Sequence, residues 1–122
     1  MPIKVLLADD TDVVRRIICK FLESHPEIEV VGEASNFVQT IQIAEDLKPQ
    51  VIVLDLHMPD ETSVEPLQIK SLNHGSRLLA ISVWNDEETR ALAERFGADA
   101  FLDKADLGIK LIPTIVQLAS AA

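Results

Sequence analysis

The sequence has little cysteine, little positive charge and no long hydrophobic run. Cys19 is the only cysteine among 122 residues, which excludes an intrachain disulfide and a thiolate metal cage. The net charge is −9, and no cluster of lysine or arginine offers the basic surface that nucleic acid requires. Apolar runs stay far below the ~20 residues that cross a bilayer, and no signal-peptide pattern opens the chain. We therefore expect a cytoplasmic domain that contacts neither membrane nor nucleic acid.

Linkers, repeats and low-complexity segments are also lacking. Apolar residues make up 48% of the chain and charged residues 25%, which is typical of a folded globular protein. Residues 1–122 are therefore predicted to form one domain.

Short apolar runs recur at intervals that leave room for one helix each. Four are continuous, at residues 3–8, 51–54, 78–81 and 100–102, as in strands that are buried on both faces of a parallel sheet. A fifth run, 28–34, alternates in polarity and is predicted to lie at an edge of the sheet. This pattern predicts an α/β fold, a three-layer α/β/α sandwich whose strand C-termini share one edge.

Capping residues and prolines predict where the helices begin. The first helix carries an apolar stripe from Val13 to Leu22, which is expected to bury Cys19 as an inert core residue. Three later helices are expected to start at caps, and the last one near Lys110 or Leu111, because Pro113 belongs in a first turn. The predicted caps are Asn36, Ser63 and Asn85.

Polar residues follow four of the predicted strands at this shared edge. They are Asp9 and Asp10 after the first strand, Asp55 after the third, Ser82 after the fourth and Lys104 after the fifth. Taken singly, Asp10 is as well explained as a helix N-cap as it is as a site residue. Lys104 taken singly is an ordinary solvated lysine. Together, three carboxylates and one lysine balance with one divalent cation, and their hard oxygen ligands favour Mg²⁺.

Such a cluster suits a phosphoryl group. A carboxylate can act as a nucleophile and form an aspartyl-phosphate, while the metal, Lys104 and the Ser82 hydroxyl ligate the phosphoryl oxygens. Phosphorylation of Asp55 replaces one negative charge with about two, to which Lys104 and Ser82 can respond. The cluster thus predicts a switch.

Over essentially its whole length, the chain resembles the response-regulator receiver family of two-component signal transduction. Met58 and Pro59, which follow Asp55, also fit this family. The resemblance implies a flavodoxin-like sheet in the order 2-1-3-4-5 and a phosphoprotein that catalyses only its own phosphorylation and dephosphorylation. It also implies a role for each site residue: Asp55 as phosphoacceptor, Asp9, Asp10, Asp55 and the backbone carbonyl of His57 as magnesium ligands, Ser82 and Lys104 as phosphate-binding residues, and Phe101 as the aromatic that reorients on activation.

The same resemblance implies partners. A sensor histidine kinase or a phosphotransfer protein is expected to be the phosphoryl donor. Residues 25–34 resemble a subfamily whose members often carry a C-terminal helix-turn-helix, so a DNA-binding output domain outside this chain is one expectation. The last helix is apolar around much of its circumference, which suits either such a domain or a homodimer.

Several residues depart from the family pattern. Ser63 replaces a usual glycine, Ala105 replaces the usual proline after the lysine, and Val83 and Trp84 follow Ser82 where small residues are usual. We interpret His57, Val83 and Trp84 as tuning residues that border the phosphoryl site and control the access of water.

Two alternative functions remain open. A pseudo-receiver keeps the fold but is not phosphorylated, and the departures at Ser63, Val83 and Ala105 favour it. A haloacid-dehalogenase-like phosphatase also uses an aspartate nucleophile with Mg²⁺. Against it, the family needs a second aspartate where this chain has His57, and the chain has no room for a cap domain.

Overall fold

The computed structural model describes residues 2–121, apart from the side chain of Asn73. Strands and helices alternate throughout, which confirms the predicted α/β pattern. The elements are β1 (Ile3–Ala8), α1 (Asp12–Glu23), β2 (Ile28–Ala34), α2 (Phe37–Leu47), β3 (Val51–Asp55), α3 (Pro66–Lys70), β4 (Arg77–Ser82), α4 (Glu87–Arg95), β5 (Ala100–Asp103) and α5 (Leu107–Ser120), with short 3₁₀ turns at Glu61–Ser63, Ser71–His74 and Lys104–Asp106.

The five strands form one parallel sheet in the order β2-β1-β3-β4-β5, as the resemblance implied. The three inner strands carry three of the four continuous apolar runs, and every residue of β3 is buried. The fourth run lies in β5, an edge strand that is only partly buried, so the prediction of burial on both faces was wrong there. Strand β2 lies at an edge, as predicted, and exposes Glu29 and Glu33. Because all strands run the same way, their C-terminal ends meet at one edge.

Helices cover both faces of the sheet, which confirms the three-layer sandwich. Successive strand residues point to opposite faces. Thus Leu6, Ile52 and Leu78 face α2, α3 and α4, and the residues next to them in each strand face α1 and α5. On that second face, the buried residues of α1 and α5 are Ile18, Leu22, Leu107, Leu111 and Ile115.

Two of the predicted caps lie at other residues. Asn36 caps α2 as expected, since its side chain accepts a hydrogen bond from the Gln39 amide. The cap of α4 is Asp86 rather than Asn85, and Asp86 Oδ1 accepts from the backbone N–H of Thr89 at 2.8 Å. A carboxylate beside a helix N-terminus gains from the helix dipole, which favours Asp86.

Helix α3 starts later than predicted. Ser63 closes a 3₁₀ turn, and α3 begins at Pro66 with Glu65 as its cap. Proline disfavours helical backbone in the residue before it, and Glu65 is accordingly extended (φ −87°, ψ 140°). Pro66 therefore occupies the first helical position, where its missing N–H costs little.

Helix α5 starts earlier than predicted, at Leu107, and contains Pro113 in its interior. The proline removes the hydrogen bond to the Ile109 carbonyl, but Ile109 is 83% exposed and open to water. Burial of Leu107, Leu111 and Ile115 against the sheet outweighs that loss.

Helix α1 buries a narrower stripe than the apolar pattern predicts. Ile18 and Leu22 are buried, but Val13 is 69% and Ile17 62% exposed. Cys19 is partly rather than fully buried, and burial raises the pKa of its thiol to about 12. The thiol is therefore protonated at neutral pH. Among the helices that the structure describes, none is both long and apolar enough to span a membrane.

Candidate functional site

The sheet topology brings together side chains from the C-terminal ends of three strands. Asp9 follows β1, Asp55 ends β3 and Lys104 follows β5. The Lys104 ammonium donates to Asp9 Oδ2 at 2.8 Å and to Asp55 Oδ2 at 3.2 Å. These partners lie 95 and 49 residues away in sequence, so the cluster is a product of the fold.

Lys104 is not the solvated lysine that its sequence position alone suggests, because its side chain is only 16% exposed. Burial by itself lowers the pKa of the Lys104 ammonium. The hydrogen bond from Lys104 to Asp9 and the negative charges of Asp55 and Asp9 outweigh burial, so the pKa lies above its ordinary value. Lys104 is therefore a fixed positive charge at the centre of the site.

Asp55 is held on both carboxylate oxygens. Its Oδ1 accepts a hydrogen bond from the backbone N–H of His57 at 3.1 Å, and its Oδ2 contacts Lys104. Burial nevertheless raises the pKa of the Asp55 carboxyl above its usual range, because the His57 N–H and Lys104 compensate only in part and Asp9 opposes them. Because Lys104 is shared between Asp9 and Asp55, its positive charge does not fully compensate the buried negative charge of Asp55.

The acidic cluster also includes Asp10. Carboxylate oxygens of Asp9, Asp10 and Asp55 lie within 4.8 Å of one another; Asp9 is fully buried and Asp10 is exposed. Asp10 does not cap α1, whose N-cap is Thr11, and the Thr11 N–H donates instead to Asp9 Oδ1 at 2.9 Å. Both oxygens of Asp9 thus have partners, while the cluster keeps an excess of negative charge.

Ser82 and Phe101 lie on the neighbouring strands β4 and β5. The buried Ser82 hydroxyl accepts a hydrogen bond from the Trp84 backbone N–H at 2.9 Å. This arrangement leaves the hydroxyl hydrogen available to a ligand. Phe101 is half-buried and packs against the core layer beneath α2, α3 and α4.

The three predicted tuning residues are exposed. Trp84 is 60% exposed, and Val83 and His57 are exposed as well. The His57 and Trp84 side chains line a cleft of about 530 Å³ that continues along α4. They adjoin Asp55 and Ser82 in sequence, and their role as tuning residues stays a prediction.

Two residues with structural roles at this edge escaped the sequence analysis. Arg15 donates to the Asp9 carbonyl at 2.8 Å and also pairs with Asp12 and Glu33. The carboxylate of Asp60 accepts hydrogen bonds from the first backbone amides of α2. For Arg15, an arginine in the first turn of α1 is a weak local signal. Asp60 has no local signal, because the amides it binds lie 22 and 23 residues away in sequence.

A family comparison identifies this arrangement. The sequence model described as "Response regulator receiver domain" matches residues 5–115. The chain belongs to the response-regulator receiver family.

Two relatives illustrate how the receiver compares with longer proteins. The nitrate/nitrite response regulator protein NarL of Escherichia coli K12 is 39% identical over 104 residues, which cover 84% of this chain and 48% of that protein. A protein-glutamate methylesterase/protein-glutamine glutaminase of Geobacillus kaustophilus is 34% identical over 111 residues, covering 89% of this chain and 32% of that protein. The receiver thus spans half or less of these relatives.

Solved structures agree on the fold. The receiver domain of NarL from Mycobacterium tuberculosis superposes with a TM-score of 0.87 at 22% identity and covers 99% of this chain and 98% of its own. The response regulator domain of Thermotoga maritima CheB gives a TM-score of 0.85 at 26% identity, with 98% of both chains covered.

Proposed function

We propose that this receiver accepts a phosphoryl group on Asp55 in a Mg²⁺-dependent reaction and changes its protein contacts in response. The environment of Asp55 is the observation that carries the proposal. Its carboxylate is buried at the ligand-binding edge of the sheet, in contact with the His57 amide and Lys104. Asp9 and Asp10 add two further carboxylates within 4.8 Å.

In the transfer, an Asp55 carboxylate oxygen attacks the phosphorus of a phosphohistidine. The P–O bond forms as the P–N bond breaks, and the electron pair of that bond goes to the imidazole nitrogen of the donor. Little else is needed chemically, because phosphoryl transfer depends mainly on positioning and on electrostatic stabilisation. The protein's task is therefore to hold Asp55 and to neutralise the phosphoryl oxygens.

Lys104 and Ser82 are suited to that second task. Lys104 is already within 3.2 Å of Asp55 and carries a fixed charge. Ser82 accepts from the Trp84 amide and so can donate its own hydrogen to a phosphoryl oxygen. We assign both residues to phosphoryl binding, and Phe101 to the response that follows.

The carboxylates fit a divalent cation. Asp9, Asp10 and Asp55 carry three negative charges against the single positive charge of Lys104, and two of the three are buried. Oxygen ligands of this kind suit Mg²⁺, to which the His57 backbone carbonyl would add a fourth ligand. When bound, Mg²⁺ would supply positive charge to the transferring phosphoryl group.

Intact-mass measurement with acetyl phosphate tests the proposal. In Mg²⁺ the parent receiver is expected to gain one phosphoryl group, and in chelator none. Asp55→Asn is expected to gain none under either condition. Asp46→Asn makes the same chemical change on the exposed surface of α2 and is expected to behave like the parent.

The alternatives give different results. A parent chain that gains no phosphoryl group in Mg²⁺ contradicts the proposal and favours the pseudo-receiver. Steady turnover of a phosphoester such as p-nitrophenyl phosphate favours the phosphatase instead.

The proposal extends to partners and place in the cell. A sensor histidine kinase or phosphotransfer protein is the proposed donor, and a cytoplasmic location, typical of the family, goes with it. For output we propose the face of α4, β5 and α5, because α5 leaves Ile109 and Val116 exposed for a second copy of the chain or a DNA-binding domain. In this view residues 1–122 form a single receiver unit.

A further inference from the structure

The N-terminus of α2 is capped from two separate parts of the chain. Asn36, the residue before the helix, accepts from the Gln39 amide at 2.8 Å. Asp60 accepts from the Phe37 amide at 2.8 Å through Oδ1 and from the Val38 amide at 3.0 Å through Oδ2. The two caps therefore satisfy different amides, and a negative charge at this end of a helix is favourable.

Asp60 belongs to the β3 loop, residues 56–60, which begins directly after Asp55. Met58 in the same loop is buried in the core, and its carbonyl accepts from the Glu61 amide. Leu56 is buried as well, and its N–H donates to a carbonyl of β4. The loop is thus held by Leu56 and Met58 in the core and, at its far end, by Asp60 on α2. His57, whose N–H donates to Asp55 Oδ1, is the exposed residue between the two core residues.

We propose that Asp60 is a positioning residue: by binding the N-terminus of α2, it holds the His57 peptide in place against Asp55. The proposal rests on the proposed function where phosphorylation is concerned, because the His57 N–H contacts the phosphoacceptor and the His57 carbonyl is a proposed ligand of its cation. If Asp60 were only a helix cap, its loss would affect α2 in the same way as the loss of Asn36.

Asn36→Ala is therefore the matched control for Asp60→Ala. Each variant removes one side-chain cap from the same helix end, so both are expected to lower thermal stability. Only Asp60→Ala also removes a contact that holds the β3 loop. Asp60→Asn keeps a single carbonyl oxygen for two amides, and it serves as a milder variant if the alanine chain does not fold.

The deciding measurement is hydrogen exchange of the His57 amide by NMR, with chelator present. We expect this amide to exchange about tenfold faster in Asp60→Ala than in the parent, because two charge-assisted hydrogen bonds that hold the loop are lost. Asp60→Asn is expected to lie between them. In Asn36→Ala the faster exchange is expected at Gln39, with His57 within about twofold of the parent.

Equal acceleration of the His57 amide in Asn36→Ala and the Asp60 variants would overturn the inference, as would no acceleration in the Asp60 variants. Phosphorylation by acetyl phosphate in Mg²⁺, measured in parallel, is expected to be slower in Asp60→Asn than in Asn36→Ala. If the parent itself takes no phosphoryl group, the proposed function fails, while the exchange comparison still decides the role of Asp60.

Discussion

Replacing Asp55 by asparagine is expected to stabilise the receiver when no divalent cation is present. Asparagine has nearly the same shape as aspartate and keeps a carbonyl oxygen for the His57 N–H, but it carries no charge. The buried Asp55 carboxylate has two carboxylate neighbours and one lysine partner. Burial penalises the ionised carboxylate and its acidic neighbours repel it, and together these outweigh the attraction of Lys104.

The size of the effect follows from Coulomb's law. With an effective dielectric constant of about 20, each carboxylate at the 4.8 Å limit repels Asp55 by about 3.5 kcal/mol, and Lys104 at 3.2 Å attracts it by about 5 kcal/mol. Asp10 is exposed, so solvent screens part of its share. With that screening, repulsion and attraction nearly cancel, and the burial of the charge remains. We therefore expect Asp55→Asn to gain about 1 kcal/mol, or about 4 °C in the midpoint of thermal unfolding.

The pH dependence has a definite sign. Burial raises the pKa of Asp55 in the folded chain, so the ionised carboxylate destabilises the fold fully above that folded pKa. As the pH falls through the folded pKa toward the unfolded value, protonation relieves this penalty. The advantage of Asp55→Asn is therefore expected at neutral pH and is expected to vanish in acid.

Urea unfolding of the two chains in chelator and in Mg²⁺ provides the assay. Mg²⁺ is expected to stabilise the parent more than Asp55→Asn, and Asp46→Asn controls for the loss of a negative charge at an exposed position. An Asp55→Asn chain that is equally stable or less stable than the parent in chelator at neutral pH would refute the charge-deficit reasoning.

Three further predictions concern Lys104, the α4 cap Asp86, and the pair His57 and Trp84. Lys104→Ala leaves two buried carboxylates without their cation and is expected to cost about 3 kcal/mol in urea unfolding, with part of the loss recovered in Mg²⁺. Asp86→Ala removes the cap of α4, and thermal unfolding is expected to show lower stability at pH 7. Because hydrogen bonding to Thr89 holds the pKa of Asp86 below its usual range, that difference is expected to disappear as the pH falls through the lowered pKa. The double variant His57→Ala, Trp84→Ala opens the cleft beside the site, so its aspartyl-phosphate is expected to hydrolyse faster in a mass-spectrometric time course.

Each of these predictions has an outcome that contradicts it. Lys104→Ala with the stability of the parent would show that the site tolerates its acids unpaired. A stability loss in Asp86→Ala that persists unchanged in acid would exclude the charged cap as its cause. An aspartyl-phosphate half-life in the double variant equal to that of the parent would contradict the tuning role of His57 and Trp84.

The sheet was predictable because its signals are local. Strands buried on both faces must be continuously apolar, and each such run in the sequence became a strand, although the run in β5 lies at a half-buried edge. Topology then placed the strand ends together, so Asp9, Asp55 and Lys104 could be grouped although they are far apart in the chain.

The errors arose where two local signals competed or where a partner lies far away. Asn85 and Asp86 are both good caps, and only the charge of Asp86 decides between them. Pro113 signals a helix start, but α5 begins before it, at Leu107, because the buried face of the helix also includes Leu107 and Leu111. The bonds from Asp60 to α2 leave no trace in either segment, because an aspartate in a loop is ordinary and Asn36 already accounts for the helix start.

The charge deficit at Asp55 also bears on how the receiver switches. Lys104 lies closer to Asp9, at 2.8 Å, than to Asp55, at 3.2 Å. Phosphorylation of Asp55 would raise the negative charge at that position to about two and draw Lys104 toward it. Asp9 is fully buried, so it would lose its lysine only where another cation replaces it.

If the proposed function holds, cation binding and phosphorylation would therefore be coupled through Lys104. Lys104 begins the 3₁₀ turn Lys104–Asp106, which leads directly into Leu107 at the start of α5. A shift of the lysine toward Asp55 would pull on this turn, and through it on a helix whose exposed side carries Ile109 and Val116. Such a movement would connect the charge at Asp55 with the apolar surface that we propose for output.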